Sequence, residues 1–203
     1  MILYTIRHGE TDYNKTLRIQ SWRDVPLNQR GLLQAQCAAD FLKDTYFDRI
    51  ISSTLSRAYV TAEIIAATSN YPHIPIYRED RLREINLGVL EGKHEKTDRM
   101  QMYFNDPFHY PAPEKGESFL ELCQRVDAYM DELISRPDLA EETVLLSTHA
   151  VVSRAILRYF HEDKDDFWRG GVPYNCSINI YKIDGATRKI IAQDIKPTGI
   201  EDI

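Results

Sequence analysis

Short apolar segments alternate with amphipathic helical patterns along this chain, and this alternation constrains its fold more than any other feature. Four segments have the length and the apolar character of buried strands: 2–6, 48–52, 74–77 and 143–148. Helical periodicity is found at about 29–43, 55–66, 119–133 and 152–159. Strands that alternate with helices are typical of an α/β fold with a mostly parallel central sheet.

The remaining segments are less regular. Residues 177–183 and 189–193 flank Asp184-Gly185, which predicts a closing hairpin. Residues 79–117 contain a weak helical pattern at about 94–105 and then several prolines that exclude a regular element. A long irregular segment in a compact domain is usually a functional loop or a disordered one, and the aromatic residues of this segment argue against disorder. We therefore expect a single domain, residues 1–203, with an irregular lid or insertion at about 79–117.

Local signals predict where two helices begin and which side of a third helix is buried. Ser118 and Glu121 form a capping box, so a helix should start at residue 119. Ser53 or Thr54 is expected to cap the helix that follows the second strand. In the helix at 29–43 the predicted inward stripe consists of Leu32, Ala35, Ala39 and Leu42.

Charge and cysteine content exclude several functional classes. The chain has 25 basic and 31 acidic residues among 203, for a net charge of −6, so no overall basic field favours nucleic acid or an anionic membrane. Three separated cysteines predict reduced thiols rather than disulfides. The longest apolar runs fall short of the roughly 20 residues of a membrane span. We expect a cytoplasmic protein with no membrane partner, and the sequence indicates no oligomeric state.

Cationic or titratable residues follow three of the predicted strands. Arg7 and His8 follow the first strand, Arg57 lies just after the second, and His149 follows residues 143–148. If these strands are parallel neighbours, all four side chains lie at the carboxyl edge of the sheet. Open α/β sheets bind ligands at that edge. The connectivity therefore predicts one shared site.

The residue types at these strand ends indicate phosphoryl chemistry. Arg7 and Arg57 offer forked, permanently charged donors that suit phosphate oxygens. Arg57 lies in the first turn of a helix, where a cation is unfavourable unless an anion binds there too. A neutral imidazole is a competent nucleophile toward phosphorus. Taken alone, however, each histidine also fits a hydrogen-bonded core residue, and Arg57 fits a solvated surface arginine.

The run Arg7-His8-Gly9-Glu10-Thr11, together with Asn14, resembles the signature of the histidine phosphatase superfamily, also called the phosphoglycerate mutase-like family. Further matches follow in order: Ser52-Ser53-x-Leu55-x-Arg57, the segment 82–92 with Glu84, Gly116-Glu117-Ser118, and Ser147-Thr148-His149. The similarity spans residues 2 to about 180. It implies a three-layer αβα sandwich of the phosphoglycerate mutase-like type.

The resemblance also implies a role for each matching residue. His8 would be the nucleophile that becomes phosphohistidine, and Arg7, Arg57 and His149 would hold the phosphoryl oxygens, with Asn14 as a further contact. Glu84 would protonate the leaving alkoxide and then help to activate water, which requires a raised pKa. This chemistry implies no cofactor and no metal ion.

Two positions depart from the pattern of the family. Ala150 stands where glycine usually follows the second histidine, and its methyl group could crowd the phosphate or require a different φ angle. In the loop Gln20-Ser21-Trp22, Ser21 stands where related proteins often have glycine. We expect Gln20, Ser21 and Ala150 to contact the substrate and the two substitutions to tune the pocket.

The favoured function is hydrolysis of a small phosphate ester, and three alternatives remain. A mutase of this family usually has an Arg-His-Tyr run after the acid, but Ile85-Asn86-Leu87 follows Glu84 here, and the segment 93–117 is short for the mutase insertion. A metal hydrolase lacks support from local ligand pairs. A non-catalytic phosphate-binding module is the third alternative.

Several side chains are candidates for the mouth of the pocket, and the aromatic ones weakly favour a ligand with a ring or an apolar part. These candidates are Trp22, Arg23, Tyr103, Phe104, Phe108, Tyr110, Trp168 and Arg169. Arg18 and Arg83 are candidates for binding a second anionic group, although solvated arginines are the default.

Overall fold

One sheet occupies the middle of the molecule. The computed structural model describes residues 1–94 and 98–199, and within them six strands form this sheet. The strands are β1 (Ile2–Arg7), β2 (Arg49–Ser53), β3 (Ile76–Glu79), β4 (Thr143–Thr148), β5 (Ile178–Asp184) and β6 (Thr187–Ile195). Their spatial order is β3-β2-β4-β1-β5-β6. The first four are parallel and the last two antiparallel, which confirms the mostly parallel sheet.

Helices cover both faces of the sheet. They are α1 (Asp12–Lys15), α2 (Gln29–Leu42), α3 (Ser56–Thr68), α4 (Asp98–Asn105), α5 (Phe119–Ile134) and α6 (Ala150–Phe160). The helices α2 and α3 pack together on one face, and α5 and α6 on the other. Successive residues of β4 alternate between the two cores, since Leu145 packs with the first pair of helices and Val144 and Leu146 pack with the second. This arrangement confirms the predicted αβα sandwich.

Most predicted elements lie within two or three residues of the observed ones. The strand at 143–148 is confirmed residue for residue, and the hairpin forms where Asp184-Gly185 predicted it. The capping box is confirmed, because Ser118 Oγ accepts from the Glu121 N–H and Glu121 Oε2 accepts from the Ser118 N–H. The weak helix predicted at 94–105 begins at Asp98, and residues 95–97 lie outside the described residues.

Two local predictions were wrong. Leu32 is 44% exposed, because Gly31 rather than Leu32 lies on the buried row of α2 with Ala35, Ala38 and Leu42. The start of α3 has no cap from Ser53 or Thr54.

A carboxylate that is distant in sequence caps the first turn of α3. Asp24 Oδ1 accepts from the backbone N–H of Ser56 at 2.8 Å and from its hydroxyl at 2.7 Å. Thr54 instead donates its hydroxyl to Asp80. The cap thus comes from the loop between α1 and α2, and it fixes that loop against the helix that carries Arg57.

Residues 79–117 join β3 to α5 along one end of the sheet. They contain two short 3-10 helices, Asp80–Leu82 and Gly88–Leu90, and then α4. Tyr103 of α4 packs against Phe119 of α5, with ring centroids 4.4 Å apart, and Phe104 packs against Trp168. These ring contacts fasten α4 over the carboxyl edge of the sheet.

Two further expectations concern membrane-spanning helices and the state of the cysteines. None of the helices among the described residues is long and apolar enough to cross a membrane. Cys37, Cys123 and Cys176 are free thiols, as predicted.

Candidate active site

The carboxyl ends of β1, β2 and β4 bring the predicted residues together. Arg7 pairs in register with Thr148, and Ser52 pairs with Ser147, so the residues that follow these strands meet at one edge. The ring centroids of His8 and His149 are 5.1 Å apart. The convergence that the connectivity predicted is confirmed.

His8 is buried and held in one orientation. Its Nδ1 lies 2.7 Å from the carbonyl oxygen of Gly9, so Nδ1 carries the proton and donates it there. The lone pair is then on Nε2, which accepts from Nε–H of Arg57 at 3.3 Å. Burial, together with the cations Arg57 and Arg7, lowers the pKa of His8 well below its ordinary value. His8 is therefore a neutral imidazole at physiological pH.

Arg57 is 1% exposed, so it is not a solvated surface arginine. Its Nη1 donates to the carbonyl of Arg23 and its Nη2 to the carbonyl of Ser21, both at 2.9 Å. Burial lowers the pKa of Arg57 to about 10, while the nearby Glu84 carboxylate opposes that shift. The guanidinium is thus charged at neutral pH and fixed from two sides.

Gly9 allows the loop after β1 to lie against α2. A Cβ at Gly9 would come within 2.3 Å of the carbonyl oxygen of Gly31 in that helix. The Gly9 N–H also donates to Thr61 Oγ1 of α3. This close approach sets the backbone on which His8 sits.

Arg7 reaches across to the segment that precedes β5. Its Nη1 donates to the carbonyl of Pro173, and Asn175 Nδ2 donates to the carbonyl of His8 at 2.9 Å. Arg7, His8 and Asn175 all line the same cavity. The segment before β5 therefore holds both residues at the end of β1.

Glu84 is buried at the N-terminus of α6. Its Oε1 accepts from the backbone N–H of Ile85 at 3.0 Å, and both carboxylate oxygens lie within 3.3 Å of the Val151 N–H. Burial raises the pKa of Glu84, although these N–H groups and the cations Arg57 and Arg7 act in the opposite direction. A raised pKa is what a proton donor near neutral pH requires.

His149 lies behind the cavity rather than on its wall. It is fully buried, and its Nε2 is 2.8 Å from Ser53 Oγ. Its Nδ1 has no hydrogen-bond partner among the described residues. Burial, followed by Arg57 and His8, lowers the pKa of His149 well below its ordinary value, so this ring is neutral as well.

Asn14, Gln20 and Ser21 line one side of the cavity. Thr11 connects the first two, since its N–H donates to Asn14 Oδ1 and its hydroxyl donates to Gln20 Oε1. Ser21 has a φ of 53°, in the left-handed region, which gives a physical reason for glycine at this position in related proteins. Its Oγ accepts from the Leu87 N–H at 2.7 Å, a contact that glycine cannot make.

Ala150 is the first residue of α6 and lines the cavity next to Val151. Its backbone is helical, so the methyl group requires no change in φ. The other expectation for this position, that the methyl group narrows the phosphate end, stays a prediction.

The cavity has a volume of about 280 Å³, and its lining contains two chemically different groups of side chains. Arg7, His8, Arg57 and Glu84 form the phosphate end. An apolar wall consists of aliphatic and aromatic side chains: Leu17, Ile19, Ile85, Leu87, Met100, Tyr103, Phe104, Val151, Trp168 and Val172. Arg18 adds a cation to this wall, and its Nη1 donates to the Gly92 carbonyl at 3.0 Å.

The predicted mouth residues divide into two groups. Tyr103, Phe104, Trp168 and Arg18 line the cavity, whereas Trp22, Arg23, Arg83, Phe108, Tyr110 and Arg169 do not. Arg83 instead lies 3.8 Å from the ring centroid of Trp22. The Trp22 indole N–H donates to the Glu84 carbonyl at 2.7 Å. These two residues therefore act behind the site, where they hold the backbone of the acid.

Sequence reasoning missed two residues that contact the site. Ser53 bonds His149, and Asn175 bonds His8. Ser53 was considered as a helix cap and as part of the motif that contains Arg57, but no contact with His149 was predicted. Asn175 gave no motif, but it lies just before β5, the antiparallel neighbour of β1, and that position would have placed it near His8.

The described residues contain no group of three or more His, Cys, Asp or Glu side chains that could hold a metal ion. The cations and hydrogen-bond donors around His8 instead form a site for an anion with several oxygens. A buried neutral histidine, two guanidinium groups and a buried carboxyl are groups that can together carry out phosphoryl transfer.

Comparison with known proteins identifies this arrangement. The family model described as histidine phosphatase superfamily (branch 1) matches residues 3–195. A probable phosphoglycerate mutase, GpmB, of Escherichia coli (strain K12 / DH10B) is 37% identical over 155 residues, which are 73% of this chain and 69% of that protein.

Solved structures show the same architecture. Bacillus stearothermophilus YhfR is 34% identical, with a TM-score of 0.85 over 95% of this chain and 96% of that one. The α-ribazole phosphatase from Shigella flexneri is 24% identical, with a TM-score of 0.84 over 98% of each chain, a likeness of fold alone. The predicted phosphoglycerate mutase-like fold is confirmed.

Proposed function

Because the chain belongs to the histidine phosphatase superfamily, we propose that it hydrolyses phosphate monoesters through a phosphohistidine formed on Nε2 of His8. The observation that carries this proposal is the state of His8. Its Nδ1–H is committed to the Gly9 carbonyl, and its neutral Nε2 lies among cations that attract phosphate. A buried neutral imidazole keeps its lone pair at physiological pH.

The first step transfers the phosphoryl group to His8. Arg7 and Arg57 bind the phosphate oxygens. The Nε–H of Arg57, which donates to His8 Nε2 before the ester binds, then donates to one of these oxygens instead. Nε2 then attacks phosphorus while the ester P–O bond breaks, and Glu84 gives its proton to the leaving oxygen. The guanidinium charges stabilise the oxygens of the transition state.

The second step returns the enzyme to its first state. Water attacks the phosphorus of phosphohistidine, and the Glu84 carboxylate accepts a proton from it. The P–N bond breaks, inorganic phosphate leaves, and Nε2 of His8 regains its lone pair. Glu84 is again protonated, so one residue serves as acid and then as base.

The apolar wall of the cavity indicates the class of ester. A substrate whose phosphate lies against His8 places its alcohol part next to Ile85, Leu87 and the rings of Tyr103, Phe104 and Trp168. Burial of apolar surface there contributes about 25 cal/mol per Å². Esters with an aromatic or otherwise apolar alcohol should therefore bind more tightly than small polar ones.

A phosphoglycerate mutase is the second candidate, and the names of curated relatives such as GpmB support it. The wall of the cavity argues against it. A mutase must grip a second anionic arm of its substrate, whereas Arg18 is the cation that the described lining offers outside the phosphate end. Incubation with 3-phosphoglycerate and bisphosphoglycerate tests this: efficient formation of 2-phosphoglycerate without phosphate release would favour the mutase.

The main test is a trapped intermediate. Protein quenched during turnover of a ³²P-labelled ester should carry an acid-sensitive, alkali-resistant adduct on His8, and His8→Ala should show neither adduct nor turnover. An active parent with no adduct, or with the label on another side chain, would contradict the mechanism. No phosphate release from a wide panel of esters would favour a non-catalytic binding module.

A further inference from the structure

Arg154 is a buried cation that does not line the cavity. It lies in the middle of α6, and its side chain is wholly enclosed. Its Nε donates to the Gly171 carbonyl at 2.6 Å, and its Nη2 donates to Asp194 Oδ2 of β6 at 2.9 Å. One side chain therefore joins a helix, a strand and the loop between them.

That loop carries much of the site. We define the cavity loop as residues 168–175. Trp168 and Val172 belong to the apolar wall of the cavity, the Pro173 carbonyl accepts from Arg7, and Asn175 donates to the His8 carbonyl. The cavity loop contains no helix or strand of its own, so its position depends on contacts of this kind.

The cavity loop packs closely against β6. Gly170 and Gly171 have φ angles of 80° and 78°, and a Cβ at Gly170 would lie 2.8 Å from Gln193 Nε2 and 2.9 Å from Asp194 Oδ2. Asp194 has a φ of 50° where the register between β5 and β6 shifts, and its N–H donates to Asn179. The left-handed backbone of a non-glycine residue such as Asp194 is strained and persists only where the surroundings fix it.

Stability alone is a poor reason for such a pair. A buried ion pair must offset the loss of hydration of both charges, and apolar side chains of similar volume often give equal or greater stability. What the pair supplies is orientation, because a guanidinium fixes the direction of each of its partners. Here one partner is the carbonyl of Gly171, two residues before Pro173.

We propose that Arg154 and Asp194 form a positioning pair that sets the cavity loop and, through the Pro173 carbonyl, the guanidinium of Arg7. Neither residue touches substrate. The pair determines the position of the Arg7 guanidinium in the phosphate end. It therefore affects phosphate binding through Arg7 and has no contact with the reacting atoms. The kinetic part of this inference rests on the proposed phosphatase function.

The test compares two arginines of the same helix. Arg154→Met removes the positioning pair. Arg158→Met is the matched control, because Arg158 also donates to a loop carbonyl, that of Lys164 at 3.0 Å, and pairs with a carboxylate, Asp127 at 3.5 Å. Neither Arg158 nor these two partners line the cavity.

Two quantities should separate positioning from structure. In Arg154→Met the Kd for inorganic phosphate, measured by calorimetry, and the KM for a phosphate ester should both rise roughly tenfold, since displacement of a binding group by about 1 Å can cost up to a hundredfold. Arg158→Met should leave both values within about twofold of the parent while lowering Tm. All assays are run well below the Tm of each variant.

Asp194→Asn is the second variant, in case Arg154→Met does not fold. It keeps the shape of the pair and removes the negative charge, so a smaller rise in the same two quantities is expected. A folded variant of either residue with parental phosphate affinity and KM would overturn the inference. If the parent itself binds phosphate but releases none from esters, the proposed function fails, while calorimetry still tests the positioning pair.

Discussion

Nε of Arg57 lies 3.3 Å from Nε2 of His8, so a cation donates to the very lone pair that the proposed mechanism needs. The two side chains come from different strand ends, His8 from β1 and Arg57 from the helix after β2. A phosphate oxygen that takes over this N–H frees the lone pair and brings phosphorus next to it. Binding and activation of the nucleophile are then one event.

Replacing Arg57 with Met should impair both binding and chemistry. The guanidinium neutralises charge in the bound ester and in the transition state, so KM should rise and kcat should fall. Steady-state kinetics on one aryl phosphate measure both. Arg23→Met serves as the control, because Arg23 lies nearby but does not line the cavity. A rise in KM with kcat unchanged would show that Arg57 binds the ester equally in the ground state and in the transition state.

Glu84→Gln should slow alkyl phosphates far more than aryl phosphates. An alkoxide needs a proton from Glu84 in order to leave, whereas a nitrophenolate needs little help. In the parent, kcat for an alkyl phosphate should fall as the pH rises through the raised pKa of Glu84, because the acid loses its proton. Paired pH–rate profiles measure this. Equal losses on both esters would argue against Glu84 as the acid.

The two buried histidines should destabilise the protein in acid. The folded pKa of His149 is depressed, so below about pH 6.5 the unfolded chain binds a proton that the native state excludes. Stability then falls as the pH falls. His149→Gln should lose less free energy of unfolding than the parent between pH 7 and pH 5, measured by urea unfolding. Parallel curves for the two proteins would contradict the prediction.

Gly9→Ala should destabilise the fold through a clash rather than through backbone strain. Its Cβ would lie 2.3 Å from the Gly31 carbonyl oxygen, and overpacking of this kind costs about 1–3 kcal/mol or more. Gly185 has a φ of 56° and no atom within 4 Å of such a Cβ, so Gly185→Ala should cost only about 1–2 kcal/mol. Denaturant unfolding compares them, and a smaller loss at Gly9 would disprove the close approach.

Substitutions of Ser21 should rank in a fixed order of stability. Glycine removes the strain of the left-handed backbone but also the acceptor of the Leu87 N–H, while alanine removes the acceptor and keeps the strain. An unpaired buried N–H costs about 1–3 kcal/mol, and the left-handed backbone about 1–2 kcal/mol. We expect serine at least as stable as glycine, and alanine the least stable. Thermal unfolding that placed alanine above glycine would contradict this.

The sequence predicted the site better than it predicted the individual contacts. Parallel strands place their carboxyl ends at one edge, so the meeting of Arg7, Arg57 and His149 with His8 followed from connectivity alone. The side-chain partners did not follow in the same way. Whether Arg57 is solvated or buried depends on carbonyls of residues 21 and 23, which approach it only after the chain has folded.

Errors in the fold have the same origin. Ser53 seemed to be a cap because it precedes a helix, but its hydroxyl is engaged by His149, and Asp24 takes the helix start. Local patterns describe what a segment can do by itself, and tertiary contacts decide between the options. Leu32 illustrates the same limit. Its spacing of three residues from Ala35 predicted that it is buried, whereas Gly31, four residues from Ala35, takes the buried position.

The place of β1 in the sheet has a consequence for biosynthesis. Ile2 pairs with Thr143 on one side and with Lys182 on the other, so the strand that leads to His8 has no neighbour until β4, residues 143–148, has left the ribosome. Pairings so distant in sequence slow folding and leave apolar strand edges open to aggregation. The nascent chain should therefore depend on chaperones for longer than a protein whose first strands form a hairpin.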